Sequence, residues 1–73
     1  MKTKKEYDIE IGEAIRKLRK SKKLNQEALG NLIGVERSTI AKYETGSNPI
    51  DMSTFFQICE LLGADPVEVL GGI

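Results

Sequence analysis

The chain has 73 residues, of which 40% are hydrophobic and 30% are charged, the composition of one small globular domain. Cys59 is the only cysteine and there is no histidine, which excludes an internal disulfide, a Cys-rich zinc site and imidazole catalysis. No apolar stretch approaches the roughly 18 residues that a membrane span needs. We therefore expect a reduced cytoplasmic protein with no membrane partner, no metal and no cofactor.

The net charge is zero, but the charges are unevenly distributed along the chain. Residues 1–24 carry nine Lys and Arg against four Asp and Glu, a net charge of +5. Residues 25–73 carry two against seven, a net charge of −5. Such a molecule can present one positive surface to a polyanion in spite of its neutral total. An equally good alternative is that the basic cluster over 16–23 is a solvated helix end, favoured by the helix dipole.

Residues 1–7 are expected to form a flexible N-terminal tail, and residues 8–73 a single domain. A first helix is predicted over about 8–20, with acidic residues early and basic residues late, the order that the helix dipole favours. Three apolar residues recur there at the i, i+4, i+7 spacing of a buried stripe. They are Ile11, Ile15 and Leu18.

The second helix is predicted to follow Asn25, a good N-cap, and to end before Gly34, which suits a left-handed turn. Gly30 lies inside this helix, where a glycine costs about 1 kcal/mol relative to alanine. We therefore expect another backbone to approach closely at Gly30. Four residues share one arc that is expected to face the core: Ala28, Leu29, Leu32 and Ile33.

The third helix is predicted from Arg37 to Thr45, closed by Gly46. At about 100° per residue, its residues separate into two sides of different chemistry. The front is small, polar and basic, and it comprises Arg37, Ser38, Ala41, Lys42 and Thr45. The back comprises Glu36, Thr39, Ile40, Tyr43 and Glu44, with Ile40 and Tyr43 as the large anchoring residues. A helix held by its back can place its front in a groove, and DNA is the leading candidate.

A fourth helix, capped by Asp51, is predicted over 52–62, with Cys59 as a small buried hydrophobe. Its expected core residues are Met52, Phe55, Phe56, Cys59 and Leu62. The fifth helix has an N-cap at Asp65, proline at its first position and a capping-box glutamate, Glu68, and it ends at Gly71–Gly72. Its apolar residues suit closure of the monomer's core and a dimer interface about equally. They are Val67, Leu70 and Ile73.

Several of these signals occur together in an order typical of one family. The run comprises Leu24-Asn25-Gln26-Glu27, Leu29, Gly34-Val35 and the segment from Arg37 to Gly46. It resembles the helix-turn-helix of the Cro/C1-type phage repressors, the Xre-like family, and the resemblance extends over about residues 9–70. The resemblance implies an all-α fold, a compact five-helix bundle of the lambda-repressor-like DNA-binding type with a central helix-turn-helix. Its third helix would lie in the major groove.

The resemblance also implies roles for individual residues. Base contacts are expected from Arg37, Ser38 and Lys42. Contacts to the DNA backbone are expected from Asn25, Gln26, Thr39 and Thr45. Arg19 and Glu44 match a pair whose salt bridge ties the first helix to the third. Independently of the family, an arginine at the exposed start of a helix can donate two hydrogen bonds to guanine, worth about 1–3 kcal/mol of discrimination.

Two residues depart from the family pattern. Glu36 stands where a Ser or Thr cap is common, and its carboxylate would either be repelled by phosphate or accept a hydrogen bond from a cytosine amino group. Gly30 replaces the usual alanine at the helix crossing, which keeps the residue small but weakens the helix. The first departure bears on base preference, and the second leaves the fold intact.

We therefore predict a transcriptional regulator of the bacterial cytosol or nucleoid, acting as a repressor. It would bind a double-stranded, pseudo-palindromic operator as a homodimer, since two linked half-sites multiply affinity and selectivity. The expected dimer interface is Val67, Leu70 and Ile73. The alternative is a protein-interaction module of the same fold, such as an antitoxin-like or accessory partner. The sequence contains no constellation that would support an enzyme.

Overall fold

The computed structural model describes all 73 residues as five helices, and it contains no strand. The helices are α1 Lys4–Ser21, α2 Gln26–Ile33, α3 Arg37–Thr45, α4 Met52–Leu61 and α5 Pro66–Gly71. The predicted all-α, five-helix architecture is confirmed, and the bounds of α2, α3 and α5 follow the caps and glycines of the sequence. No helix of the structure combines the length and the apolar character that crossing a membrane requires.

The first helix starts earlier than the sequence analysis predicted, so the expected tail over 1–7 is largely helical. Thr3 and Glu6 form a capping box, in which the Thr3 hydroxyl accepts from the Glu6 N–H and the Glu6 carboxylate accepts from the Thr3 N–H, each at 3.1 Å. Lys2 forms an ion pair with Glu10 at 2.7 Å. These contacts give α1 a defined start at Lys4. The capping-box spacing of Thr3 and Glu6 that predicts this start lies within a lysine-rich segment that was expected to be a tail.

The core is built from α1 to α4 and from the residue that follows α4. Its buried side chains are Ile15, Leu29, Ile40, Phe55, Ile58, Cys59 and Leu62. Val69 and Leu70 of α5 are half-buried and pack against this cluster. Cys59 is fully buried as expected, and burial raises the pKa of its thiol, with a smaller contribution from the charge of Asp65.

Three residues predicted to face the core are instead exposed at the surface. Met52 is 60% exposed, Phe56 45% and Leu32 51%, whereas Ile58, which was not predicted, is fully buried. At about 100° per residue, Phe56 lies roughly 160° around the helix from Ile58. The apolar residues of α4 extend around more of the helix than the other helices cover. Met52 and Phe56 therefore lie at the edge of the buried face and remain exposed.

Two glycines allow α3 and its preceding turn to touch the other helices. A Cβ at Gly12 would overlap the Tyr43 carbonyl oxygen, so the backbones of α1 and α3 are in contact there. A Cβ at Gly30 would lie 2.6 Å from the Val35 carbonyl oxygen. The close approach expected at Gly30 is confirmed, whereas the one at Gly12 was not anticipated. Together these contacts fix where α3 lies on the bundle.

Candidate nucleic-acid interface

The back of α3 is held by the protein and its front is free. Ile40 is fully buried, and Tyr43 is half-buried against the core. Arg37, Ser38 and Lys42 are exposed on the other side, and none of their side chains forms a hydrogen bond or an ion pair within the chain. The predicted front of α3 therefore forms a polar and basic surface whose donors are available to a ligand.

A buried ion pair joins the back of α3 to α1. Arg19 and Glu44 are only 7% and 6% exposed. The Arg19 guanidinium donates from Nε and Nη2 to the two Glu44 carboxylate oxygens at 2.6 and 3.0 Å, and from Nη1 to the Leu24 carbonyl at 2.7 Å. The structure thus brings together the pair that the family resemblance implied. The same guanidinium also fixes the chain that leads into α2.

The ionisation of Glu44 is set by opposing effects. Burial alone would raise the pKa of its carboxyl group, but hydrogen bonds from Arg19 and Gln26 and the nearby charges of Arg19 and Arg16 outweigh it. The pKa of Glu44 is therefore held below its ordinary value, and the hydrogen bond to Glu44 raises the pKa of Arg19. Both groups remain charged at neutral pH, so each buried charge has its partner.

The start of α2 carries two of the residues expected to contact the DNA backbone. The Asn25 side-chain oxygen accepts from the Ala28 N–H at 2.7 Å, so it serves as the cap and only its amide N–H groups remain free. Gln26 donates from Nε2 to Glu44 Oε1 at 3.0 Å. This contact was missed by the sequence analysis. It orients the Gln26 amide, since a carboxylate attracts its nitrogen and repels its oxygen, and it leaves the second N–H available.

The starts of α2 and α3 face the same open cleft. The cleft has no apolar residue in its lining, which consists of Arg19, Asn25, Gln26, Glu27 and Arg37. Thr45 lies two turns further along α3, where its hydroxyl contacts the Lys42 carbonyl at 3.2 Å and the Ser47 hydroxyl at 3.0 Å. Thr39 is half-buried. The structure therefore brings Arg37 and Gln26 together in one cleft, whose lining includes neither Thr39 nor Thr45.

The basic cluster at the end of α1 reaches this cleft through Arg19, whereas Lys17 lines a separate crevice beside α5. The exposed members of the cluster are Arg16, Lys17, Lys20, Lys22 and Lys23, whereas Arg19 is turned inward. Because Arg19 is bonded to the Leu24 carbonyl, the end of α1 is held beside the start of α2. A positive field at this edge would attract the phosphates of a nucleic acid.

The expected dimer residues differ in their surroundings. Val67 is 75% exposed, whereas Leu70 and Ile73 are half-buried. Leu70 also lines a small apolar crevice between α1 and the start of α4, together with Ile11 and Met52. Of the three, Val67 contributes most to the surface, and Leu70 contributes mainly to closing the monomer.

Comparison with known proteins agrees with this geometry. A helix-turn-helix family model matches residues 15–69. The chain belongs to this family, the Xre-like helix-turn-helix proteins of the Cro/C1 type.

The relatives and the similar solved structures include proteins named as regulators, controllers and repressors. The HTH-type transcriptional regulator y4aM of Sinorhizobium fredii is 39% identical over 59 residues, which are 81% of this chain and 41% of that protein. The restriction-modification controller protein C.AhdI from Aeromonas hydrophila superposes with a TM-score of 0.76 at 30% identity, over 84% of this chain and 92% of that one. The P22 c2 repressor in complex with a synthetic operator gives a TM-score of 0.74 at 30% identity, over 86% and 96%. The chain spans between 39% and 57% of the lengths of the curated relatives it matches.

Proposed function

We propose that this chain is a sequence-specific double-stranded DNA-binding regulator of transcription, acting as a repressor in the bacterial cytosol or nucleoid. The observation that carries the proposal is the free front of α3, where exposed Arg37, Ser38 and Lys42 have no partner within the chain. A helix with its back fixed and its polar front exposed has the geometry needed to enter the major groove. The proposal assigns binding to this chain and no catalysis.

Base contacts would come from the front of α3. The Arg37 guanidinium can donate two hydrogen bonds to guanine O6 and N7. Lys42 lies five residues further, about 7.5 Å along the helix axis, which is roughly two base pairs of B-DNA. Arg37, Ser38 and Lys42 would therefore contact successive base pairs within one half-site.

Contacts to the DNA backbone would fix the position of α3 in the groove. The free N–H of the Gln26 amide and the positive end of the α2 dipole both favour a phosphate at the start of α2. The Asn25 amide N–H groups, Thr39 and the Thr45 hydroxyl would contribute further contacts along the groove. These contacts carry no base preference of their own.

A salt series with labelled duplex tests the proposal. Because the basic residues release counterions when they bind phosphate, affinity is expected to fall steeply and log-linearly with salt concentration. The same measurement evaluates the alternative of a protein-interaction module. If no duplex binds even at low salt, the DNA-binding proposal is wrong and the alternative is favoured.

Two substitutions separate base contacts from backbone contacts. Arg37→Ala should relax the preference at one operator position in a randomised-duplex selection, by a factor corresponding to about 1–3 kcal/mol. Gln26→Ala should weaken binding to all sequences alike, because a phosphate contact is independent of base identity. A position-specific loss for Gln26→Ala, or an unchanged base preference for Arg37→Ala, would show that these roles are misassigned.

The proposal includes a homodimer on a pseudo-palindromic operator, with half-sites about 34 Å apart. The exposure of Val67 supports an interface that includes this residue, with Leu70 and Ile73 at its edge. Val67→Glu should then abolish dimers in sedimentation equilibrium and lower affinity for the full operator, while binding to an isolated half-site is retained. Dimers that persist in Val67→Glu would place the interface elsewhere.

A further inference from the structure

The start of α3 differs from the start of every other helix in the bundle. The N-cap side chains of the other four, Thr3, Asn25, Asp51 and Asp65, each accept a hydrogen bond from a backbone N–H of the first turn. Glu36, at the corresponding position of α3, makes no such bond. A Ser, Thr, Asp or Asn side chain at this position stabilises the helix that it caps. The one helix without this contribution is the helix proposed to enter DNA.

The backbone of Glu36 is nevertheless firmly placed. The N–H groups of Gly34 and Val35 both donate to the Gly30 carbonyl, at 2.8 and 2.9 Å, which fixes the turn on α2. The Glu36 carbonyl accepts from the N–H groups of Thr39 and Ile40 at 3.0 and 3.3 Å, which fixes it on α3. The position of Glu36 is therefore determined on both sides.

The Glu36 side chain, in contrast, has no partner in the protein. It is exposed, and its carboxylate forms no hydrogen bond and no ion pair, although Arg37 is the next residue along the chain. Glu36 is the N-cap, with extended backbone angles of φ −75° and ψ 156°, so the helical projection that assigned it to the back of α3 is wrong for this residue. Its exposed carboxylate lies at the N-terminal end of α3, next to Arg37 in the chain, with its hydrogen-bonding capacity unused. Such a carboxylate can accept a hydrogen bond from a donor on a ligand bound at the N-terminal end of α3.

We propose that Glu36 is a specificity-determining residue, whose carboxylate accepts a hydrogen bond from the N4 amino group of a cytosine beside the base pair that Arg37 contacts. This inference rests on the proposed DNA-binding function. In the major groove, cytosine presents an amino group that donates hydrogen bonds. Guanine presents the acceptors N7 and O6, and thymine presents the acceptor O4, and a carboxylate repels all three. Adenine has a donor too, but its neighbouring N7 is an acceptor.

The competing role for Glu36 is general repulsion of the phosphate backbone. Repulsion would weaken binding to every sequence by the same factor, because phosphates are the same at every position. A cytosine contact instead makes the effect of the carboxylate depend on one base pair. Base preference therefore separates the two roles, whereas affinity for a single duplex does not.

The test is a randomised-duplex selection with the wild-type chain, Glu36→Gln and the matched control Glu60→Gln. Glu60 is an exposed glutamate on α4, so its substitution makes the same change in net charge away from the proposed DNA surface. The wild type should select cytosine at one position. Glu36→Gln should lower that preference about tenfold while leaving other positions unchanged, since an amide no longer discriminates against acceptors by charge. Glu60→Gln should retain the wild-type pattern.

The other outcomes are each decisive. Uniformly tighter binding of Glu36→Gln with an unchanged base pattern would assign the carboxylate to phosphate repulsion and overturn the inference. Uniformly weaker binding, with an unchanged helical circular-dichroism spectrum, would overturn it as well. A wild type that selects other bases but shows no preference for cytosine would reject the inference and leave the proposed function standing. A wild type that binds no duplex at low salt would reject both.

Discussion

The back and the front of α3 differ in how completely their polar groups are satisfied. On the back, the Glu44 carboxylate accepts hydrogen bonds from Arg19 and Gln26 and is nearly inaccessible to solvent. On the front, Arg37 and Lys42 carry full charges and have no partner within the chain. Both sides belong to one helix of nine residues. The back therefore determines where the helix lies, and the front leaves its hydrogen-bonding groups for a ligand.

This division predicts that stability and recognition respond to different substitutions. Changes on the back should lower the free energy of unfolding, whether or not DNA is present. Changes on the front should leave it almost unaltered and should be detected in DNA binding. Substitutions on the two sides of α3 therefore test this separation, and the largest losses of stability are expected on the back.

The largest effect is expected at the buried ion pair. Arg19→Met or Glu44→Leu alone should lower the free energy of unfolding by about 3–5 kcal/mol, because each leaves the other charge buried without a partner. The double variant Arg19→Met/Glu44→Leu should recover part of this loss, since no buried charge is left unpaired, while the Leu24 carbonyl and the Gln26 amide still lose their partners. Chemical denaturation of the four proteins gives the coupling energy directly.

A small domain has a limited margin of stability, so a single variant of the pair could be largely unfolded. The double variant then provides the comparison, because its recovery of a cooperative transition shows that the missing charge partner caused the loss. Single variants that are as stable as the wild type would contradict a structural role for the pair.

The sequence predicted the parts of this arrangement that depend on local signals. The bounds of α2 and α3 follow from Asn25, Gly34 and Gly46, since caps and left-handed glycines act on their own turn of helix. The separation of α3 into two sides follows from its period alone. Neither prediction depends on how the helices pack, and both were correct except at Glu36, which was assigned to the back of α3 and is an exposed N-cap.

The remaining features depend on tertiary contacts that a single sequence does not display. The hydrogen bond from Gln26 to Glu44 joins residues 18 positions apart, and it depends on how α2 crosses α3. The exposure of Met52 and Phe56 depends on which part of α4 the other helices cover. The early start of α1 is different, because the spacing of Thr3 and Glu6 was a local capping-box signal that could have been found.

The contact between α1 and α3 provides the next prediction. Gly12→Ala should lower the free energy of unfolding by about 2–3 kcal/mol, because the new methyl group would overlap backbone carbonyl oxygens of α3 that cannot move independently. Gly71→Ala is the matched control, since nothing lies within 4 Å of its Cβ position. It should be neutral or slightly stabilising, by up to about 1 kcal/mol. Equal thermal transitions for the two variants would show that α1 and α3 can separate without loss.

The starts of α2 and α3 should respond to substitution in opposite directions. Asn25→Ala removes a cap bond and should cost about 1 kcal/mol. Glu36→Ser supplies the cap that α3 lacks and should stabilise the chain by up to about 1 kcal/mol. Denaturant unfolding tests both changes, because a shifted midpoint with an unchanged m-value reports a change in stability. A destabilised Glu36→Ser would mean that the glutamate already contributes to the fold in a way that its lack of contacts does not reveal.

The smallest effect on stability is expected on the front of α3, at the residue most important to the proposed base contacts. Arg37→Ala should change the free energy of unfolding by less than about 0.5 kcal/mol, because the exposed guanidinium bonds to nothing within the chain. Alanine also has the highest helix propensity, which offsets any packing lost with the arginine stem. Denaturation at the salt concentration of the DNA assay makes the two measurements comparable. If Arg37→Ala unfolds as the wild type does and still loses base preference, the side chain acts in DNA recognition and not in stability. If Arg37→Ala loses more than about 1 kcal/mol of stability, the front of α3 also supports the fold.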